Sequence, residues 1–192
     1  MRADPPSLEQ LERELSHLRR KNRRRQRLRR TLGVLTVLMA VLVLLSALVL
    51  PVLLVQGESM EPTLRQDEAV ICIRGSRYGR GDIVAFSYGS KILIKRIIAG
   101  PGDTLDMDEE GNVLLNGTLL SESYVGQKAV GSLSVELPCT VPEGHWFLMG
   151  DNRAVSVDSR SSLLGFVSEE QITGRVFFKL WPLRDFEILA KN

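Results

Sequence analysis

A chain of 192 residues, 44% hydrophobic and 25% charged, has room for one folded domain with accessory segments, and its formal charge of +2 hides two parts of opposite sign. Residues 1–30 carry eleven Lys/Arg against four Asp/Glu, a net +7, whereas the rest of the chain is net −5, so the pI of the whole describes neither. Cys72 and Cys139 lack metal-ligand spacing, so neither a metal nor a cofactor is expected.

Leu8, Leu11, Leu15 and Leu18 recur at three- and four-residue steps among Glu and Arg, which predicts a short amphipathic helix. The basic cluster Arg19-Arg20-Lys21-Asn22-Arg23-Arg24-Arg25-Gln26-Arg27-Leu28-Arg29-Arg30 follows. Basic residues beside a membrane span stay cytoplasmic and are attracted to anionic lipid. Topology therefore accounts for the cluster, and no nucleic-acid partner is expected.

Residues 31–57 contain no charged side chain, and Leu32 to Leu50 are almost wholly Leu, Val, Ala and Met. Nineteen such residues in a helix span roughly 28 Å, close to the ~30 Å hydrocarbon core of a bilayer. A cleaved signal peptide would have a shorter apolar core and a small-residue site after it, which Pro51-Val52-Leu53-Leu54-Val55 does not offer. The expectation is a cytoplasmic segment over 1–30, a single-pass transmembrane signal anchor over 31–55, and an extracytoplasmic domain over 56–192, with lipid as a partner. Pro51 disfavours helical geometry in the residue before it, so the helix should end near Leu50. The eight residues from Pro51 to Ser59 reach at most about 27 Å, which holds Ser59 near the outer membrane surface and a membrane-associated substrate.

Beyond Ser59 the pattern is short strands and turns. Ala69–Ile73, Asp82–Phe86 and Lys91–Ile98 read as strands, the second after the Gly79-Arg80-Gly81 turn and the third closed by Gly100-Pro101-Gly102-Asp103. Residues 104–143 are more polar, with hairpin material at Val113-Leu114-Leu115-Asn116-Gly117, and read as a small β insertion. Trp146–Met149 and Arg175–Trp181 supply later strands. The fold class is mostly β. Cys72 and Cys139 lie in the exported part, where a disulfide and two separately packed thiols are both open.

A serine hydroxyl is a weak nucleophile without a base, and Ser59, just past the apolar run, needs a partner. His17 lies among the charges before the run, across the membrane from Ser59, and His145 begins an apolar strand in which it is expected to pack. Lys95, in Lys91-Ile92-Leu93-Ile94-Lys95-Arg96-Ile97-Ile98, is the better candidate. A lysine acts as a base only when neutral, and burial among branched aliphatics can lower its pKa by roughly 3–5 units. A Ser59–Lys95 dyad is chemically coherent.

The motifs then resemble a known family, the type I signal peptidases. Gly57-Glu58-Ser59-Met60-Glu61-Pro62-Thr63-Leu64 resembles the family's nucleophile box, and Arg80-Gly81-Asp82-Ile83-Val84-Ala85-Phe86 the strand box after it. Lys95-Arg96-Ile97-Ile98-Ala99-Gly100-Pro101-Gly102-Asp103 is similar to the lysine box, and Gly150-Asp151-Asn152-Arg153-Ala154-Val155-Ser156-Val157-Asp158-Ser159-Arg160 to the last. The resemblance implies an antiparallel β catalytic domain with a smaller β insertion, Ser59 as nucleophile and Lys95 as general base. It also implies that Ser156 hydrogen-bonds and orients the Lys95 amine and that Asp158 and Arg160 form a structural pair beneath the site. Some members carry a serine two residues before the nucleophile as an oxyanion donor. Gly57 stands there instead, as in the Gram-positive form, so the donors would be the Ser59 amide and another near Gly57. The substrates implied are signal peptides of exported preproteins with small residues at −1 and −3, received by Met60, Leu64, Leu93 and Ile94. The catalytic unit is expected to act as a monomer.

Three other readings remain at this point. An organelle-type relative, or a member dedicated to a few substrates such as pilus components, would carry the same motifs. A self-cleaving repressor shares the dyad logic but needs a DNA-binding module, for which thirty N-terminal residues are too few. A catalytically silent binding or assembly factor would have lost Ser59 or Lys95, and both are present.

Overall fold

The computed structural model describes residues 8–75, 77–182, 185 and 187–189, without the side chains of 8–23 and 45–49. The chain divides into two units, Met1–Leu48 and Val49–Asn192.

The first unit is built on one helix, α1 (Leu8–Val49). No proline interrupts the sequence between its ends, so the leucine-periodic stretch, the arginine cluster and the apolar run form one continuous helix. It stops one residue short of the expected Leu50, as Pro51 requires. Among the described residues, no helix is long and apolar enough to cross a membrane. The side chains of 45–49, which complete the apolar run, lie outside the described residues, as do those of Leu8, Leu11, Leu15, His17 and Leu18.

The second unit is mostly antiparallel β. Its larger sheet contains β1 (Val52–Leu54), β2 (Ala69–Ile73), β3 (Ile83–Tyr88), β4 (Lys91–Ala99), β9 (His145–Met149), β10 (Val167–Ser168), β11 (Ile172–Trp181) and β12 (Glu187–Ile188). The strand order is β1-β2-β11-β3-β4-β9-β10, with β12 also paired to β11. A second sheet, in the order β7-β6-β5-β8, uses β5 (Thr104–Met107), β6 (Val113–Leu115), β7 (Thr118–Leu119) and β8 (Cys139–Thr140).

The central strands lack polar alternation because both faces of the larger sheet are covered. Along β3, Ile83 and Ala85 pack in a cluster with Val55, Met60, Leu64, Val70, Cys72 and Val176. The alternate residues Val84 and Phe86 pack with Ile97, Leu148, Val167 and Ile172. A third cluster joins Leu105, Val113, Leu115 and Val141 of the smaller-sheet region to Ile98, Ala99, Phe147 and Met149, and so ties the two sheets together.

One boundary differs from the sequence expectation. Val52–Leu54, read there as the end of the anchor, form an edge strand in which Val52 pairs with Ile71 and Leu54 with Ala69. Once Pro51 has stopped the helix, its carbonyl accepts from Cys72 N at 2.9 Å, which begins the ladder. Val55 then enters the core at 3% exposure.

Candidate active site

Ser59 lies on the loop between β1 and β2, and that loop is fastened along its length. Val55 N donates to Glu68 O at 2.8 Å, Asp67 N to Val55 O at 2.9 Å, and Leu64 N to Met60 O at 2.9 Å. Lys179 of β11 donates to Thr63 O at 3.0 Å and pairs with Glu68 at 3.1 Å. Gly57 has φ +83°, a conformation that an L side chain rarely adopts, and a Cβ there would meet nothing within 4 Å. Backbone conformation, rather than close approach of another group, is what calls for glycine at this position.

Lys95 comes from β4, opposite Val84, and is 4% exposed. Its Nζ donates to Ser59 Oγ at 2.6 Å. Burial pushes its pKa down to about 8, against the pull of the Asp158 and Asp151 carboxylates and with some help from Arg160. At pH 7 about one such lysine in ten is neutral, against one in a few thousand for a free side chain.

The loop after β9 packs against both groups. Asn152 N donates to Ser59 O at 3.1 Å, and Asp158 accepts from Gly150 N at 2.9 Å. Asp158 also takes two hydrogen bonds of 2.8 Å from the Arg160 guanidinium, with both side chains wholly buried. Burial works against the charge on Asp158, but these bonds and the arginine's positive charge hold its carboxyl below the ordinary range. Ser156 Oγ is buried beside this carboxylate, which it helps to keep ionised, yet it makes no hydrogen bond of ordinary geometry to Asp158 or Lys95. The structure therefore brings Ser156 to the site without the direct bond to Lys95 that the resemblance implies.

A cavity of about 100 Å³ opens beside the pair, lined by Leu54, Val55, Gln56, Gly57, Met60, Ile92, Leu93 and Ile94 as well as Ser59 and Lys95. Met60, Leu93 and Ile94 are thus in the lining of this cavity. Leu64 is not: its amide closes a turn onto Met60, and its side chain is wholly buried in the core beneath.

A family model described as "Signal peptidase, peptidase S26" matches residues 28–181. The chain belongs to this family of signal peptidases. Signal peptidase I of Bacillus licheniformis is 37% identical over 145 residues, covering 69% of this chain and 77% of that one. Signal peptidase IB of Staphylococcus aureus is 33% identical over 153 residues, covering 69% and 78%. A crystal structure of a signal peptidase I from Enterococcus faecalis aligns with a TM-score of 0.43 and 31% identity, covering 53% of this chain and 97% of that one. The S26 signal peptidases are serine endopeptidases, and this chain is one of them.

Several polar residues of this peptidase went unremarked in the sequence. Arg96, next to Lys95, grips Asp151 with two hydrogen bonds of 2.8 and 2.6 Å and donates to Gly81 O at 2.9 Å. Thr63 Oγ1 donates to the same Asp151 carboxylate at 2.5 Å, joining the loop of Ser59 to the loop after β9. Arg153 and Glu122 form a further buried pair. The signal for Arg96 is its place beside Lys95 in the buried half of β4, which is otherwise apolar, since a charge in such a position needs a partner.

His145 and the two cysteines make other contacts. His145 Nδ1 lies 2.9 Å from Glu143 O, at the start of β9. Cys72 and Cys139 are free thiols in different clusters, and burial raises the Cys72 thiol to about 11. Among the described residues, no group of His, Cys, Asp and Glu could hold a metal ion.

Proposed function

We propose that this chain is a membrane-anchored serine endopeptidase that removes signal peptides from exported preproteins through a Ser59–Lys95 dyad. The observation that carries the reading is the 2.6 Å contact between a buried, pKa-lowered lysine and a serine beside a small cavity. Neutral Lys95 takes the Ser59 proton as Oγ attacks the scissile carbonyl carbon. The oxyanion is held by the Ser59 amide and a second amide near Gly57. As the tetrahedral intermediate collapses, the carbon–nitrogen bond breaks and the Lys95 ammonium returns its proton to the leaving amine. Water then attacks the Ser59 ester, losing its proton to Lys95, and as the carbon–oxygen bond breaks to release the acid, Lys95 passes that proton to Ser59 Oγ.

The anchor in this reading is the uncharged run of α1, now limited to residues 31–49, with the arginine cluster on the cytoplasmic side. A cavity of about 100 Å³ walled by Leu, Ile, Val and Met suits a small −1 side chain and excludes an aromatic one. The test is cleavage by detergent-solubilised enzyme of a preprotein with Ala at −3 and −1, beside one with Phe at −1. The first should be cut after the −1 residue and the second at least about 100-fold more slowly. Equal cleavage of both would remove the role given to the cavity.

A further inference from the structure

Within the insertion between β4 and β9, the segment from Glu122 to Val130 reaches the same loop that packs against Ser59. We infer that Glu122 and Tyr124 are positioning residues for the Ser59–Lys95 pair, acting through Arg153 and Arg96. This inference rests on the peptidase reading above and goes beyond it in giving the insertion a part in the reaction.

Two clamps carry it. In the first, Arg153 presents both terminal guanidinium nitrogens to the Glu122 carboxylate, with both side chains at 0% exposure, and its Nε donates to Gly150 O at 3.1 Å. Gly150 is packed directly against the site. A Cβ at that position would lie 2.6 Å from Ser156 Cβ and nearer still to Ser156 Oγ and the Ser59 carbonyl oxygen. In the second clamp, the Arg96 guanidinium lies 3.9 Å over the Tyr124 ring while holding Asp151. Asp151 in turn accepts from Thr63, four residues after Ser59. The Tyr124 hydroxyl donates to Glu122 at 3.1 Å, which links the clamps.

A surface ion pair would be of little account in such a position, but these groups are out of water. With Glu122 uncharged, Arg153 becomes a buried cation without compensation and is driven to find water. Its hold on Gly150 loosens, and the surface that packs beneath Ser59 shifts. Reacting groups displaced by about 1 Å can lose roughly 100-fold in rate, so a small shift is enough. The same loosening admits water beside Lys95, whose lowered pKa comes first from burial.

The experiment compares full-length, detergent-solubilised parent with Glu122→Gln, Tyr124→Phe and Tyr124→Leu on a preprotein with Ala at −3 and −1. Active-site titration normalises each rate to folded enzyme. Glu122→Gln should lose about tenfold or more in kcat with KM within about twofold, and its rate should rise at a higher pH than the parent's. Tyr124→Phe keeps the ring over Arg96 and should lose less than Tyr124→Leu. If Glu122→Gln does not fold, the two tyrosine variants decide: a kcat and pH limb for Tyr124→Leu equal to the parent's overturn the inference. Parental kcat and pH limb for folded Glu122→Gln, with only thermal stability reduced, overturn it as well, because the insertion is then a structural staple. A parent that cuts nothing overturns the peptidase reading instead, and this inference with it.

Discussion

Replacing Lys95 by methionine should abolish cleavage and stabilise the fold at the same time. The loss follows from the chemistry: Ser59 Oγ has Lys95 Nζ at 2.6 Å as its hydrogen-bond partner, and removing a positioned general base costs about 10²–10⁴-fold in rate. Ser59→Ala should be as inactive. The gain follows from proton linkage. The Lys95 amine titrates near 10.5 when unfolded and near 8 when folded, so between those values the unfolded chain binds more protons and stability rises with pH. Below about 8 the full cost of burying the ammonium is present, on the order of 3 kcal/mol at pH 7. Methionine has no charge to bury and fills a similar volume, so Lys95→Met should unfold several degrees higher than the parent at pH 7, a difference that shrinks as the pH approaches 10.5. Thermal unfolding at pH 7 and pH 10, set beside the rates, checks both signs. Retained activity, or a variant less stable than the parent at pH 7, would contradict the role given to Lys95.

The second large effect is expected at Gly150. An alanine Cβ there would fall 2.6 Å from Ser156 Cβ and closer to the Ser59 carbonyl oxygen, which is backbone and has no rotamer to yield. Either the loop after β9 moves back or Ser59 moves forward. Gly150→Ala should therefore lose about 100-fold in kcat and about 1–3 kcal/mol of stability. Gly126→Ala is the control, because a Cβ there meets only Pro62 Cδ at 3.8 Å, an ordinary contact. Parental kcat in Gly150→Ala would show that the packing of this loop on Ser59 is not tight in solution.

What could be read from the sequence depended on whether the signal was local. Ala69–Ile73 was legible to the residue, because a short apolar run between polar turns has few other interpretations. The strand Val52–Leu54 was not, because three apolar residues after a long apolar run look like more of it; the pairing with Ala69–Ile73, begun by the hydrogen bond from Cys72 N to Pro51 O, separates them. Ser59 and Lys95 were legible as an unusual serine and a charged residue in an apolar strand, but their separation of thirty-six positions gave no distance. Arg96 with Asp151 and Glu122 with Arg153 were hidden for the same reason. Each charge is visible in the sequence, and its partner is assigned only when β4, the insertion and the loop after β9 come together. Leu64 illustrates the opposite limit. It belongs to the nucleophile box, and one turn of backbone decides whether its side chain faces the cavity or the core.

The most direct test of the dyad is the pH dependence of kcat/KM for the detergent-solubilised full chain on a preprotein with Ala at −3 and −1, since this quantity reports the ionisation of the free enzyme. The account predicts a rate that rises about tenfold per pH unit below a limb near 8 and is flat above it, as Lys95 loses its proton. A limb near the ~6.5 of an ordinary histidine, or no dependence between about pH 6 and 9, would contradict lysine as the base.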